Sequence, residues 1–110
     1  YVFEAPIDML SFITMCPDHW QEHSYVSLCG VAEHALVQLL SDAPQVRQVI
    51  LCLDNDDAGL KAEKRIKQSL EERGYEKVFP LLPYQKDWNE DLKAMVKPPP
   101  VPLEKNQMVM

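Results

Sequence analysis

Glycine and cysteine are scarce in this chain, at three each in 110 residues. So little glycine excludes collagen-like and glycine-rich low-complexity architectures. Three cysteines, irregularly placed at 16, 29 and 52, do not make a disulfide framework, and such usage fits a reducing cytoplasm. Cys52 sits inside an apolar run and reads as a small core residue, as does Cys29. No apolar run approaches the roughly 20 residues needed to cross a bilayer. No secretory or transit signal is visible either, so the expected location is cytoplasmic, with no membrane partner. Positive charge is also in deficit: 11 Lys and Arg stand against 17 Asp and Glu, for a net charge of −6. That balance argues against a free-standing nucleic-acid-binding domain, which is usually basic. It leaves room for a catalytic domain whose clustered carboxylates are neutralised by bound cations. There are no internal repeats.

The length suits one domain, able to bury roughly two-thirds of its unfolded surface without disulfides or structural metal. Residue 1 is Tyr, and the chain opens directly on a strand-like run, as expected of a segment from a longer polypeptide. Strand patterns fall at Tyr1–Glu4, Tyr25–Leu28, Val46–Leu53 and Tyr75–Leu82. Helical patterns fall between and after them. Pro6 to about Cys16 has Pro in its first turn, with Ile7, Leu10, Ile13 and Thr14 along the expected core face. Val31–Leu40 carries a stripe of Val31, Ala35, Leu36, Leu39 and Leu40 and is closed off by Ser41-Asp42-Ala43-Pro44. Asp57–Arg73 repeats Ala58, Ala62, Ile66 and Leu70 and ends at Gly74, and Trp88–Val96 forms a short helix. The Pro17–Ser24 stretch is a polar loop.

Residues 1–96 are thus expected to form one domain, and 97–110, with Pro98-Pro99-Pro100 and Pro102, a linker or frayed tail. The apolar run Val49-Ile50-Leu51-Cys52-Leu53 suits a central parallel strand covered on both faces. Four strands alternating with helices predict a three-layer α/β/α, Rossmann-like fold around a mainly parallel four-stranded sheet. Ligands of such sheets bind beyond the carboxyl ends of the strands.

Acids collect at those ends. Glu4 closes the first strand and Asp8 follows one helical turn later. Asp54 closes the third, with Asp56 and Asp57 behind it. Asp87 follows the fourth, with Asn89, Glu90 and Asp91 next. In a 2-1-3-4 strand order Glu4 faces Asp54 and Asp56 across one strand spacing, about 5 Å. Few hard oxygens, completed by water and substrate phosphate, are what Mg²⁺ prefers. Asp8, Asp54 and Asp56, each taken alone, have a plainer reading, as caps that complement a helix N-terminus. Acids at three separate strand ends repel one another unless a cation intervenes. Gly59, inside a helix where glycine costs about 1 kcal/mol relative to Ala, points to close approach by a neighbouring backbone or by a phosphate. Lys61, Lys64, Arg65 and Lys67 offer either a solvated helix face or a nucleic-acid path.

Three separated motifs carry a family resemblance: Glu4-Ala5-Pro6-Ile7-Asp8, Leu53-Asp54-Asn55-Asp56-Asp57-Ala58-Gly59 and Lys86-Asp87-Trp88-Asn89-Glu90. In order and spacing they resemble the Toprim domain of DnaG-type primases, topoisomerases, OLD-family nucleases and RecR-type repair proteins. The wording is most similar to primase-like proteins of plasmids and other mobile elements. The resemblance implies Mg²⁺ or Mn²⁺ held by Glu4, Asp8, Asp54, Asp56, Asp87 and Asn89. It implies catalytic roles for Glu4, Asp54 and Asp56, with Glu4 as ligand or general acid/base, and phosphate contact by Lys86. Nucleotidyl transfer on DNA (primer synthesis) is the implied activity, and phosphodiester cleavage of the nuclease or topoisomerase type the alternative. Partners would be DNA, nucleotides and other domains of the same polypeptide: an upstream primase subdomain and a zinc-binding domain. Without them the fragment is expected to be inactive in primer synthesis. The sequence departs from the family at Ala5, where Gly is common, at Leu60, where a basic residue is usual, and at Asn89, which replaces an Asp.

Rival readings come from other classes. A phosphoacceptor receiver domain also has acids after its first strand, but needs a fifth strand and helix where this chain turns Pro-rich. A haloacid-dehalogenase-like phosphatase places its Asp-x-Asp after the first strand. A non-catalytic docking scaffold would keep the fold without the metal. Cys16, His19, His23 and Cys29 lack a familiar zinc spacing. Trp88 suits packing better than base stacking.

Overall fold

The computed structural model of the chain describes residues 1–29 and 33–96. In chain order the elements are β1 (Val2–Phe3), α1 (Pro6–Met15), a short 3₁₀ turn (Trp20–Glu22), β2 (Val26–Ser27), α2 (His34–Asp42), β3 (Gln48–Leu51), α3 (Asp57–Glu72), β4 (Lys77–Pro80) and α4 (Trp88–Val96). The strands pair in the order β2-β1-β3-β4, and every pairing is parallel. The expected α/β class and strand order therefore hold, with an all-parallel sheet. The ladders are shorter than the apolar runs suggested. The Pro-rich stretch and the expected start of α2 at Val31 lie outside the described residues.

Parallel strands put helices on both faces, and the side-chain alternation along the strands sorts the core into two. Val2, Leu51, Leu53, Val49 and Val78 pack with Leu36 and Leu40 of α2 and with Ile66 and Leu70 of α3. Phe3 and Cys52 point the other way and pack with Phe12 of α1 and Trp88 of α4. Phe12 meets the Trp88 ring edge-on at a centroid distance of 5.0 Å. The indole N–H of Trp88 donates to the Cys52 carbonyl at 3.0 Å. Trp88 is thus a packing residue.

Two helix faces differ from expectation. Ile7 and Leu10 are more than half exposed, whereas Asp8, Ser11 and Phe12 are buried. The α1 helix turns about its axis to seat Phe12 against Tyr1, Phe3 and Trp88. An aromatic ring removes more apolar area than a Leu rim, and the rotation carries Asp8 and Ser11 inward. In α2 the buried pair is Leu36 and Leu40, with Val37 packed against the core, while Leu39 and Ala35 face out. Cys29 is exposed, not core: its φ of 53° lifts it out of the strand after Ser27.

The end of α3 behaves as its sequence implies. Gly74 takes a φ of 95°. Its N–H bonds to the Glu71 carbonyl and the Tyr75 N–H to the Leu70 carbonyl, at 3.0 and 3.1 Å. This Schellman closure satisfies two orphan carbonyls and turns the chain into β4. No helix is long and apolar enough to cross a membrane among the described residues.

Candidate metal centre

A parallel sheet brings the carboxyl ends of β1, β3 and β4 to one rim, and α1, α3 and α4 begin there. Their unpaired N–H groups and positive dipole ends favour acidic side chains and anionic ligands. Several of the acids also have a local role in the backbone. Asp56 adopts extended φ/ψ and accepts the Gly59 N–H at 2.7 Å, capping α3. Asp87 accepts the Glu90 N–H at 2.8 Å at the start of α4. Asp91 accepts the Tyr84 and Gln85 amides, at 2.9 and 2.7 Å, and so fixes the loop after β4. Such caps contribute about 1 kcal/mol each. The capping reading therefore holds for Asp56, and Asp87 serves α4 in the same way. It does not compete with ligation, because a carboxylate has lone pairs to spare.

Glu4 reaches across from β1 and accepts the Asp54 backbone N–H at 2.8 Å. Asp8, buried at 4% exposure, accepts the Asn89 N–H at 3.2 Å. Its carboxyl is raised above the usual carboxylate range by burial, opposed by that hydrogen bond, with Asp87 and Glu4 adding to the rise. Asp54 is the extreme case. Burial first, and then the charges of Glu4, Asp8, Asp56 and Asp87, push its pKa up to about 7. Its Oδ1 is buried with no hydrogen-bond partner. A buried oxygen without a donor costs roughly 1–3 kcal/mol, so it stands out beside neighbours that all bind an amide.

The sheet thus brings Glu4, Asp8, Asp54, Asp56 and Asp87 into one electrostatic group, with Asn89 hydrogen-bonded to Asp8. Lys86 joins through its main chain: its carbonyl accepts the Asn55 N–H at 2.6 Å. Lys61 stands apart, exposed on α3 with no hydrogen bond or ion pair among the described residues. Gly59 is explained by its neighbours. A Cβ there would lie 2.0 Å from the Asp54 carbonyl oxygen, and its N–H is taken by Asp56, which leaves no amide for the phosphate contact considered from the sequence.

Two contributors carried no role in the sequence reading. Ser11 is 2% exposed; its hydroxyl lies 2.7 Å from the Ile7 carbonyl and 3.2 Å from Asn89 Oδ1. A hydroxyl has one proton. Asn89 Oδ1 thus shares the Ser11 hydroxyl with the Ile7 carbonyl and keeps a further lone pair. The signal was a serine three residues after Asp8, on the same helix face. Asn55 donates its side-chain amide to the Pro83 carbonyl at 3.2 Å, tying the loop after β3 to the loop after β4.

Among the described residues no three His, Cys, Asp or Glu side chains are gathered closely enough to hold a metal ion by themselves. The carboxylates form an open rim, because their oxygens are drawn onto backbone amides. The donor set still fits Mg²⁺, which is bound by one or two carboxylates and keeps waters and substrate phosphates as its other ligands. The orphaned Asp54 oxygen, in a surplus of negative charge, is the donor that best suits a cation. Larger concavities, of about 480 and 630 Å³, lie at the opposite end of the sheet. There Arg47, Arg73 and Lys77 stand near the carbonyl ends of α2 and α3, which they complement.

Comparison with known proteins agrees with this geometry. The Toprim-like family matches residues 1–92. The chain belongs to that family. Its members generally bind Mg²⁺ in nucleotidyl transfer or strand cleavage. One similar protein is the "Uncharacterized protein MG010 homolog" of Mycoplasma pneumoniae (strain ATCC 29342 / M129 / Subtype 1), 32% identical over 95 residues, covering 82% of this chain. This Toprim-like chain spans 41% of that protein's length. No solved structure matches it.

Proposed function

We propose that this Toprim-like domain is the Mg²⁺- or Mn²⁺-binding catalytic part of a primase-like protein that performs nucleotidyl transfer on DNA. The observation that carries the reading is Asp54: a strand-end carboxyl with one buried, unpartnered oxygen, surrounded by four further acids. Asp54 and Asp56 would be the principal ligands, with Asp8, Asp87 and the carbonyl oxygen of Asn89 completing one or two positions with water. When bound, the metal supplies charge stabilisation for the phosphoryl group and for the attacking or leaving oxygen. Glu4, which accepts the Asp54 amide, would hold or take a proton at the 3′ oxygen. Lys86 would lie against phosphate. The helix N-termini at the rim favour the same anion.

The primase-like choice over cleavage rests on the wording of the three motifs, since all Toprim chemistries share this acidic core. Primer synthesis would require further domains of a longer polypeptide. The test is a Mn²⁺ titration read by thermal denaturation. The wild type is expected to gain stability with metal, by about 2.7 kcal/mol at a hundredfold excess over Kd, and Asp54→Asn to gain little. Equal gains in both proteins would remove the basis for the reading, and no gain in the wild type would favour the docking-scaffold alternative.

A further inference from the structure

The loop between β4 and α4 carries the third motif, and past Pro83 its side chains bury almost nothing. Tyr84 is 97% exposed, and Gln85 and Lys86 also face solvent. Loops with so little packing usually belong to the loosest part of a fold. This one is gripped through its main chain from two sides. On the α4 side both carboxylate oxygens of Asp91 are engaged: Oδ2 accepts the Tyr84 N–H at 2.9 Å and Oδ1 the Gln85 N–H at 2.7 Å. On the β3 side Asn55 donates twice. Its side-chain amide reaches the Pro83 carbonyl at 3.2 Å, and its backbone N–H reaches the Lys86 carbonyl at 2.6 Å.

The consecutive residues 83 to 86 are therefore each tied to one element or the other. A segment held by a charged acceptor on one side and by amide donors on the other has little room to slide, since moving toward one partner stretches the bonds to the other. Asp87 leaves this held segment directly and accepts the Glu90 N–H as α4 begins. The charges that raise the Asp54 carboxyl include Asp87 but not Asp91. Asp91 thus stands behind the rim, and its reach to the site runs through the loop.

We propose that Asp91 and Asn55 are positioning residues for the acidic rim: together they clamp residues 83–86 and so set where Lys86 and Asp87 stand relative to Asp54. This role rests on the metal reading above for what the clamp serves. It goes beyond that reading in assigning two residues that touch neither metal nor substrate there.

The test reads each grip from its far side. Amide hydrogen exchange is measured without metal on the 110-residue chain and on Asp91→Ala, Asp91→Asn and Asn55→Ala, with circular dichroism confirming the fold of each. Asp91→Ala is expected to speed exchange severalfold at the Asn55 amide, which Asp91 does not touch. Asn55→Ala is expected to do the same at the Tyr84 and Gln85 amides, which Asn55 does not touch. Asp91→Asn keeps one acceptor oxygen and should fall between wild type and Asp91→Ala. Isothermal titration with Mn²⁺ follows. Asn55→Ala leaves the net charge unchanged, so any loss of affinity there is not the loss of an attractive charge. It should lose about tenfold, and Asp91→Ala somewhat more. The double variant should lose little beyond Asp91→Ala, because both residues act on one segment.

Unchanged exchange on the far side overturns the clamp, since each residue then serves only its own neighbours. Faster far-side exchange with unchanged Mn²⁺ affinity overturns the positioning role and leaves a structural brace. Losses that multiply in the double variant also overturn the shared role. A wild type that binds no Mn²⁺ refutes the metal reading instead; the exchange result, obtained without metal, then supports or overturns the clamp by itself.

Discussion

The side chain of Glu4 accepts the backbone N–H of Asp54 at 2.8 Å, joining residues 50 apart in the chain at the ends of two neighbouring strands. One acid of the first motif therefore sets the position of the principal acid of the second. Glu4→Ala should leave that amide without a partner, at a cost of roughly 1–3 kcal/mol. Removing a charge close to Asp54 offsets part of that loss. Glu4→Gln keeps an acceptor and removes the charge, so it should melt at or above the wild-type temperature. Thermal denaturation of the three proteins without metal checks the order: Gln highest, Ala lowest.

The raised Asp54 carboxyl gives a pH dependence whose sign is fixed. Its folded pKa of about 7 lies above the ordinary value of 3.8, so the native state holds a proton that the unfolded chain releases. The associated stability is complete below about pH 4 and is lost as pH rises through 7. Metal affinity runs the opposite way, since a cation competes with that proton. Comparing metal-free wild type with Asp54→Asn between pH 5 and 8 should show the wild type losing stability relative to the variant across that range. A Mn²⁺ titration of the wild type should tighten over the same interval.

Gly59 cannot accept a side chain. The nearest atom to a Cβ at this position is the Asp54 carbonyl oxygen at 2.0 Å, and that atom belongs to the backbone. Gly59→Ala must move α3 away from β3, despite Ala's better helix propensity. The expected loss is about 3 kcal/mol, the upper end for overpacking, or roughly 12–24 °C in Tm for a domain of this size. The displacement separates Asp56 from Asp54, so Mn²⁺ stabilisation should weaken as well.

Ser11→Ala tests the support behind Asn89. The hydroxyl touches no proposed ligand other than that amide, so apo stability should fall by only about 1 kcal/mol. Loss of orientation at Asn89 should weaken Mn²⁺ binding roughly tenfold, as is common when a partner behind a ligand is removed. Ser11→Thr, which keeps the hydroxyl, should recover most of the affinity if the added methyl fits. Isothermal titration separates these outcomes from a general loss of folding.

The strand order and the acidic rim were legible because both arise from chain-wide regularities. A continuous apolar run such as Val49–Leu53 fits a central parallel strand, and a parallel sheet gathers the loops leaving its strands at a common edge. The face of α1 was not legible. Its sequence offers two overlapping stripes, Ile7–Leu10–Thr14 and Asp8–Ser11–Phe12, and hydropathy favours the first. The second is buried because Phe12 fits an aromatic pocket assembled from β1 and α4, a tertiary fact that no local period encodes. Cys29 misled for a related reason, since an apolar residue beside a strand end can still be lifted outward by one left-handed backbone angle. For the acids, ligand and cap use the same residue types at the same positions. Asp56 and Asp87 turned out to close helices, and only Asp54 was left with a buried oxygen unserved.

Because Glu4, Asp8, Asp56 and Asp87 are each anchored to a main-chain N–H, the rim is assembled by the polypeptide before any ion arrives. An ion entering such a socket is not a rivet holding three segments together. Under the proposed function the ion would enter and leave while the scaffold stays in place, with no refolding of the loops that receive it.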